Sequence, residues 1–130
     1  MSNKRGAILF VDDEYYVLQT LKAILRRDFA DFHLLFAQSG QDALQLLEDL
    51  PSEDINHLVV FSDWLMPGMK GDELLVKVAE KYPQSINYLL SGMINREPAE
   101  DIFDKGRIRQ IIQKPWDNQE LIDIVKESVS

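Results

Sequence analysis

The stretch Leu58-Val59-Val60-Phe61-Ser62-Asp63-Trp64-Leu65-Met66-Pro67-Gly68-Met69-Lys70-Gly71 decides the fold. Its first half is short, rich in Val and Phe and bounded by turn formers, so it reads as a buried strand whose C-terminal end is Asp63. The second half is a turn built from proline and glycines. In open α/β sheets ligands bind outside the C-terminal ends of the strands, and a carboxylate delivered there is poised for chemistry.

A second run, Ala7-Ile8-Leu9-Phe10-Val11, leads straight into Asp12-Asp13-Glu14. Carboxylates from two strand ends can therefore meet at one sheet edge. Like charges at close range raise one another's pKa unless a cation neutralises them, and a hard divalent ion with oxygen ligands does so best. Magnesium is the natural candidate. Two more strands end in polar groups: Ile86 to Leu90 reaches Ser91-Gly92, and Ile108 to Gln113 reaches Lys114-Pro115-Trp116. A hydroxyl and an ammonium beside a metal-bound carboxylate suit a transferred phosphoryl group, whose equatorial oxygens must be met by donors and cations. The chemistry indicated is phosphorylation of Asp63.

Segments of helical period separate the strands, which predicts a parallel, doubly wound sheet with five strands and five helices. Val17, Leu18, Leu21, Ile24 and Leu25 share the first helical face, Arg26-Arg27 closes that helix, and a strand follows at His33 to Ala37. Ser39 with Asp42 forms an N-cap pattern opening a helix that buries Ala43, Leu46, Leu47 and Leu50 before Pro51. The third helix runs from about Asp72 to Tyr82 on Leu74, Leu75 and Val78. The fourth has Pro98 in its first turn, a narrow face of Ala99, Ile102 and Phe103, and Gly106 as C-cap. The last starts near Asn118, buries Leu121, Ile122 and Val125, and runs to the chain end.

At 130 residues and 45% apolar content the chain suits a single domain with one core. It has no cysteine, which excludes a disulfide framework and a thiolate metal site. Its longest apolar runs fall short of the roughly 18 residues of a membrane span, and Met1 to Gly6 lacks the apolar segment of a signal peptide. A cytoplasmic location is expected. A net charge of −8 with scattered basic residues argues against direct nucleic-acid binding.

Taken together, Asp12-Asp13, Asp63, Ser91 and Lys114-Pro115 resemble the motifs of the receiver domains of two-component response regulators, over about Ala7 to Val129. Taken singly, each has a plainer reading: Asp13 as a helix cap, Ser91 as a turn residue, Lys114 as a solvated lysine. Four motifs in order, each at a strand end, outweigh those readings. The resemblance implies a flavodoxin-like fold with strand order 2-1-3-4-5, which alternation alone does not fix. That order places Asp12, Asp13 and Asp63 at a switch-point crevice.

The resemblance further implies that Asp63 is the phosphoryl acceptor, fed by a sensor histidine kinase, a phosphotransfer protein or a small phosphodonor. Asp13, Asp63 and the Leu65 carbonyl would ligate Mg2+, with Asp12 acting through water. Lys114 would pair with Asp63 and then with a phosphoryl oxygen, and Ser91 would donate to another. The Lys114–Pro115 bond would be cis, aiming the ammonium at Asp63. Such a chain is a signalling domain that promotes its own phosphorylation and dephosphorylation rather than an enzyme. Its output surface would be the fourth helix, last strand and last helix, docking an effector domain or protein or forming a two-fold homodimer. The chain would be a stand-alone receiver or a piece of a longer regulator, and Lys114 to Leu121 resembles receivers joined to output domains, including cyclic-di-GMP phosphodiesterases.

Two departures stand out. Receivers commonly carry Tyr or Phe three residues before the lysine, where this chain has Ile111, which leaves Phe103, Trp116 or the loop after Ser91 to carry the response. The positions that tune phosphoryl loss are Leu65 and Met93, neither able to orient water, so a long-lived aspartyl phosphate is expected. His33 and His57 are expected to be structural or exposed, Met66 and Met69 to fill space around the turn, and Trp64 and Trp116 to pack normally or shield the site rim. A haloacid-dehalogenase-type phosphatase would carry its second Asp two residues after its nucleophile, on the first strand. A non-phosphorylated scaffold would have lost the acceptor, acidic pair or lysine, and a flavodoxin would not place acids where FMN phosphate binds.

Overall fold

Short runs rich in apolar residues become the strands of one parallel sheet, and two of them end abruptly at acids. The computed structural model describes residues 4–92 and 97–130. Strands β1 (Ala7–Val11), β2 (His33–Ala37), β3 (Leu58–Asp63), β4 (Ile86–Ser91) and β5 (Ile108–Gln113) alternate with helices α1 (Tyr15–Leu25), α2 (Gly40–Asp49), α3 (Gly71–Lys81), α4 (Glu100–Lys105) and α5 (Asn118–Val129). The strand order is β2-β1-β3-β4-β5, parallel throughout. This is the flavodoxin-like arrangement, and β1 and β3 are neighbours at its centre.

Because successive side chains in a strand point to opposite faces, the fully buried β1 and β3 feed two cores. Leu9, Val11, Val60 and Leu89 pack with Ala43 and Leu47 of α2 and Leu74, Leu75 and Val78 of α3. Ile8, Phe10, Val59, Phe61, Tyr88 and Leu90 pack with Leu18, Leu21 and Leu25 of α1 and Leu121, Val125 and Val129 of α5. Leu46, Leu50 and Ile122 are half-buried rather than buried, since each lies at the margin of its helix's apolar stripe.

Aromatic rings fix the register that the site depends on. Phe36, Phe10, Phe61 and Tyr88 are cross-strand partners and stack in a row across β2, β1, β3 and β4. Their centroids are separated by 6.0, 4.6 and 4.7 Å. Each such pair contributes about 0.5–1.5 kcal/mol beyond area burial. With Phe10 opposite Phe61 and Val11 opposite Ser62, the chain leaves β1 and β3 at the same level, and Asp12 emerges beside Asp63.

Helix ends follow local chemistry. Ser39 caps α2, accepting the Asp42 N–H at 3.1 Å as expected. Helix α4 is short and buries no residue fully. Pro98 precedes its N-cap, Ala99, instead of occupying the first turn. Gly106 is its C-cap with φ −86°, and the left-handed residue is Arg107, φ 50°. Arg107 is held there by its Nε–H donating to the Ser85 carbonyl at 3.0 Å. A 3-10 turn at Ser52–Ile55, not apparent beforehand, buries Asp54 against His33 Nε2 at 3.1 Å. His33 is thus structural, at the sheet edge opposite the acids. His57 meets the Phe32 ring edge-on. Among the described residues no helix is long and apolar enough to cross a membrane.

Candidate functional site

Asp12 leaves β1 buried, and both its oxygens are used. Oδ1 accepts the Glu14 N–H at 2.8 Å, which opens α1; Glu14 is the N-cap of that helix, so Asp13 is not. Oδ2 accepts from Lys114 Nζ at 2.9 Å. The same ammonium donates to Asp63 Oδ1 at 3.1 Å. Lys114 therefore bridges two carboxylates, where only its pairing with Asp63 was anticipated.

The backbone at the end of β5 aims this lysine. The Lys114–Pro115 peptide is cis, and the Lys114 N–H donates to the Ser91 carbonyl at 2.7 Å, tying the ends of β4 and β5 together. Ser91 is buried. It lines a pocket of about 260 Å3 with Glu14, Asp63, Trp64, Leu65, Gly92 and Lys114. Trp64 is buried in the core, whereas the Leu65 side chain is exposed. Trp116 is half-buried and lines a neighbouring groove with Lys114, Pro115 and Val17.

Asp12, Asp13 and Asp63 offer oxygens within 4.8 Å of one another, with Asp13 exposed and the other two buried. Burial pushes the Asp63 carboxyl above its ordinary value; the Lys114 charge opposes this, and the charges of Asp12 and Asp13 add to it. Burial alone would lower Lys114, but its bond to Asp12 and the Asp63 charge outweigh that and hold the ammonium above its usual value. The cluster is short of positive charge. Its donors are hard oxygens at a concave, partly exposed edge, which fits a hard divalent cation. The resemblance implies that Asp13, Asp63 and the Leu65 carbonyl would hold it; Leu65 lines the same pocket as Asp63, while Asp12 is engaged by Glu14 and Lys114.

Gly71 sets where α3 begins. Its N–H donates to the Trp64 carbonyl at 2.7 Å, and a Cβ on it would stand 2.0 Å from the Asp63 carbonyl oxygen. Only glycine lets the helix start against the Asp63 backbone. Gly71→Ala is expected to lower unfolding free energy by about 2 kcal/mol through overpacking. Urea denaturation with an unchanged midpoint would contradict this close approach.

Asp63, Asp12, Asp13, Ser91, Lys114 and Leu65 thus come to one edge. Met93 lies outside the described residues. Glu14 was the unassigned member of the acidic run, and its adjacency to Asp13 was the available signal. The profile of the response regulator receiver domain matches residues 8–126. The hydrogenase transcriptional regulatory protein HoxA of Cupriavidus necator is 33% identical over 99% of this chain and 25% of its own length. Chemotaxis protein CheY-3 of Vibrio cholerae is 30% identical over 88% of this chain and 84% of its own. The chain spans about a quarter of the length of the first curated relatives it matches. The signal receiver domain of an HD domain-containing protein from Pseudomonas fluorescens superposes with TM-score 0.75 at 30% identity, covering 99% of this chain and 90% of that one. With the sheet order, the acidic edge and these matches in agreement, the chain belongs to the response regulator receiver domain family.

Proposed function

We propose that Asp63 accepts a phosphoryl group from the phosphohistidine of a sensor histidine kinase or phosphotransfer protein, and that the resulting charge switches the surface of α4, β5 and α5. One observation carries this: a buried carboxylate, raised in pKa and crowded by two others, is gripped by a lysine that also holds Asp12. An Asp63 oxygen forms the new O–P bond as the donor's N–P bond breaks, and the departing electron pair stays on the imidazole nitrogen. When bound, Mg2+ offsets the charge of the carboxylates and of the transferring oxygens.

Lys114 then exchanges the Asp63 carboxylate for a phosphoryl oxygen while Asp12 keeps it within reach. Ser91 supplies a hydroxyl to another oxygen. Its carbonyl is bonded to the Lys114 N–H, so movement of the Ser91 loop is felt at the end of β5. Ile111 is half-buried on the α4 side with Ile102 and Phe103. We assign the response to repacking of these three side chains rather than to rotation of an aromatic ring at position 111. Phosphorylation favours one arrangement of that surface over another, and the effector domain, partner protein or second copy it meets reads the shift.

Incubation of the wild-type protein with acetyl phosphate is expected to add one phosphoryl group by intact mass, only when Mg2+ is present. Mg2+ binding without any mass gain would overturn the reading in favour of a scaffold that captures partners unphosphorylated.

A further inference from the structure

Met69 lies directly on the α-carbon of Gly40. A Cβ built on Gly40 would stand 2.6 Å from Met69 Sδ, 3.1 Å from its Cβ and 3.2 Å from its Cγ. Gly40 is buried and opens α2 immediately after the Ser39 cap, so the surface beneath Met69 is a hydrogen-bonded first turn. Met69 itself belongs to the segment joining β3 to α3. That segment is closed at its ends by the Gly71 N–H on the Trp64 carbonyl. Within it Trp64 and Met66 are buried, Leu65 is exposed, and Met69 packs from the loop's far side onto the core shared by α2 and α3.

We infer that the Met69–Gly40 contact is a brace that sets the position of the Leu65 carbonyl, making Met69 and Gly40 positioning residues for the cation. The inference rests on the proposed function and extends it to α2, a helix that places no side chain among the acids. The physical reason is geometric. A Mg2+ ion accepts little departure from octahedral ligands at about 2.0–2.1 Å, while a loop carbonyl flanked by an exposed side chain has no packing of its own to hold it. Side-chain anchors on either side of Leu65 must do so, with Trp64 and Met66 held by the core and Met69 by Gly40. A larger residue at position 40 lifts Met69 off the first turn, and a smaller one at position 69 leaves the loop without its far anchor.

The test uses a Trp116→Phe background, so that Trp64 remains as the single tryptophan reporter in a chain that has two. Mg2+ is titrated while Trp64 fluorescence is followed, and thermal midpoints are recorded in EDTA. Gly40→Ala and Met69→Ala are each expected to weaken Mg2+ binding about 10-fold, the low end for loss of a contact supporting a metal site. Met69→Leu preserves the bulk and is expected to bind like the parent. Gly40→Ala overpacks Met69 and is expected to lower the midpoint in EDTA as well, so Mg2+ affinity is measured well below every midpoint, where each variant is folded. Affinities of Gly40→Ala and Met69→Ala equal to the parent's overturn the brace, whatever their midpoints. A parent that shows no Mg2+ response at all overturns the proposed function instead.

Discussion

Asp63→Asn is expected to abolish phosphoryl incorporation and, in EDTA at neutral pH, to make the protein more stable than the wild type by on the order of 1 kcal/mol. The first effect follows from removing the nucleophile. The second follows from the balance at the site, where burial and the neighbouring acids outweigh the Lys114 attraction and raise the Asp63 pKa. A carboxyl whose folded value is raised binds its proton more tightly when folded. Its contribution favours folding fully at pH below the unfolded value and is lost as pH rises through the folded one. The asparagine therefore gains on the wild type as pH climbs out of the ordinary carboxylate range, and the gap is constant above Asp63's raised value. Excess Mg2+ should close the gap by neutralising the wild-type site. Urea denaturation from acidic to neutral pH measures all three features, and intact mass reports incorporation. An asparagine variant less stable than wild type in EDTA would mean that the Lys114 pair dominates burial. Continued phosphorylation would place the acceptor elsewhere.

The residues of this site were legible because each stands at the end of an apolar run, and a run that stops at an acid marks both a strand boundary and a ligand edge. Only β1 and β3 stop at an acid; the other strands were legible as short runs bounded by turn formers, and the helices by apolar faces that recur over several turns. Helix α4 was less so. With no fully buried residue, it carries little periodic signal, and the proline that marks its start lies one residue ahead of the cap. The left-handed turn after it falls on Arg107 rather than the adjacent glycine, where a hydrogen bond to the Ser85 carbonyl, distant in the chain and just ahead of β4, holds it.

Beyond the Lys114–Asp63 pair that the family resemblance implies, connections between the site residues were not legible. That Lys114 bridges Asp12 as well as Asp63 depends on side-chain reach from the end of β5 past β4 to the ends of β3 and β1. Likewise the ring row from Phe36 to Tyr88 depends on a register that residues far apart in the chain reveal only when paired. Both are consequences of strand order. A sequence that discloses each strand separately carries no local mark of them.

Lys114→Met is the substitution that tests the bridge, and in EDTA at neutral pH it is expected to cost about 3–5 kcal/mol, the cost of removing one partner of a buried ion pair. The Lys114 side chain is 22% exposed and that of Asp12 only 1%, so water does little to screen the loss. The lysine's pKa is raised by its partners, so its stabilisation is complete throughout the neutral range and fades only as pH rises above the usual lysine value. Without the ammonium, Asp12 keeps its bond from Glu14 at Oδ1, but Oδ2 faces the Asp63 carboxylate with no cation between them. Two additions should recover part of the loss: acid, which lets one carboxyl take a proton, and Mg2+, which restores positive charge. Combining Lys114→Met with Asp63→Asn should also recover part, since the repulsion is removed at its source and the two changes share one network. Phosphoryl incorporation in the single variant is expected to slow by about 10²-fold or more, as for loss of one preorganised charge-stabilising donor. A cost below 1 kcal/mol by urea denaturation would show that solvent already screens the bridge. In that case the lysine's role would begin only when a phosphoryl group arrives.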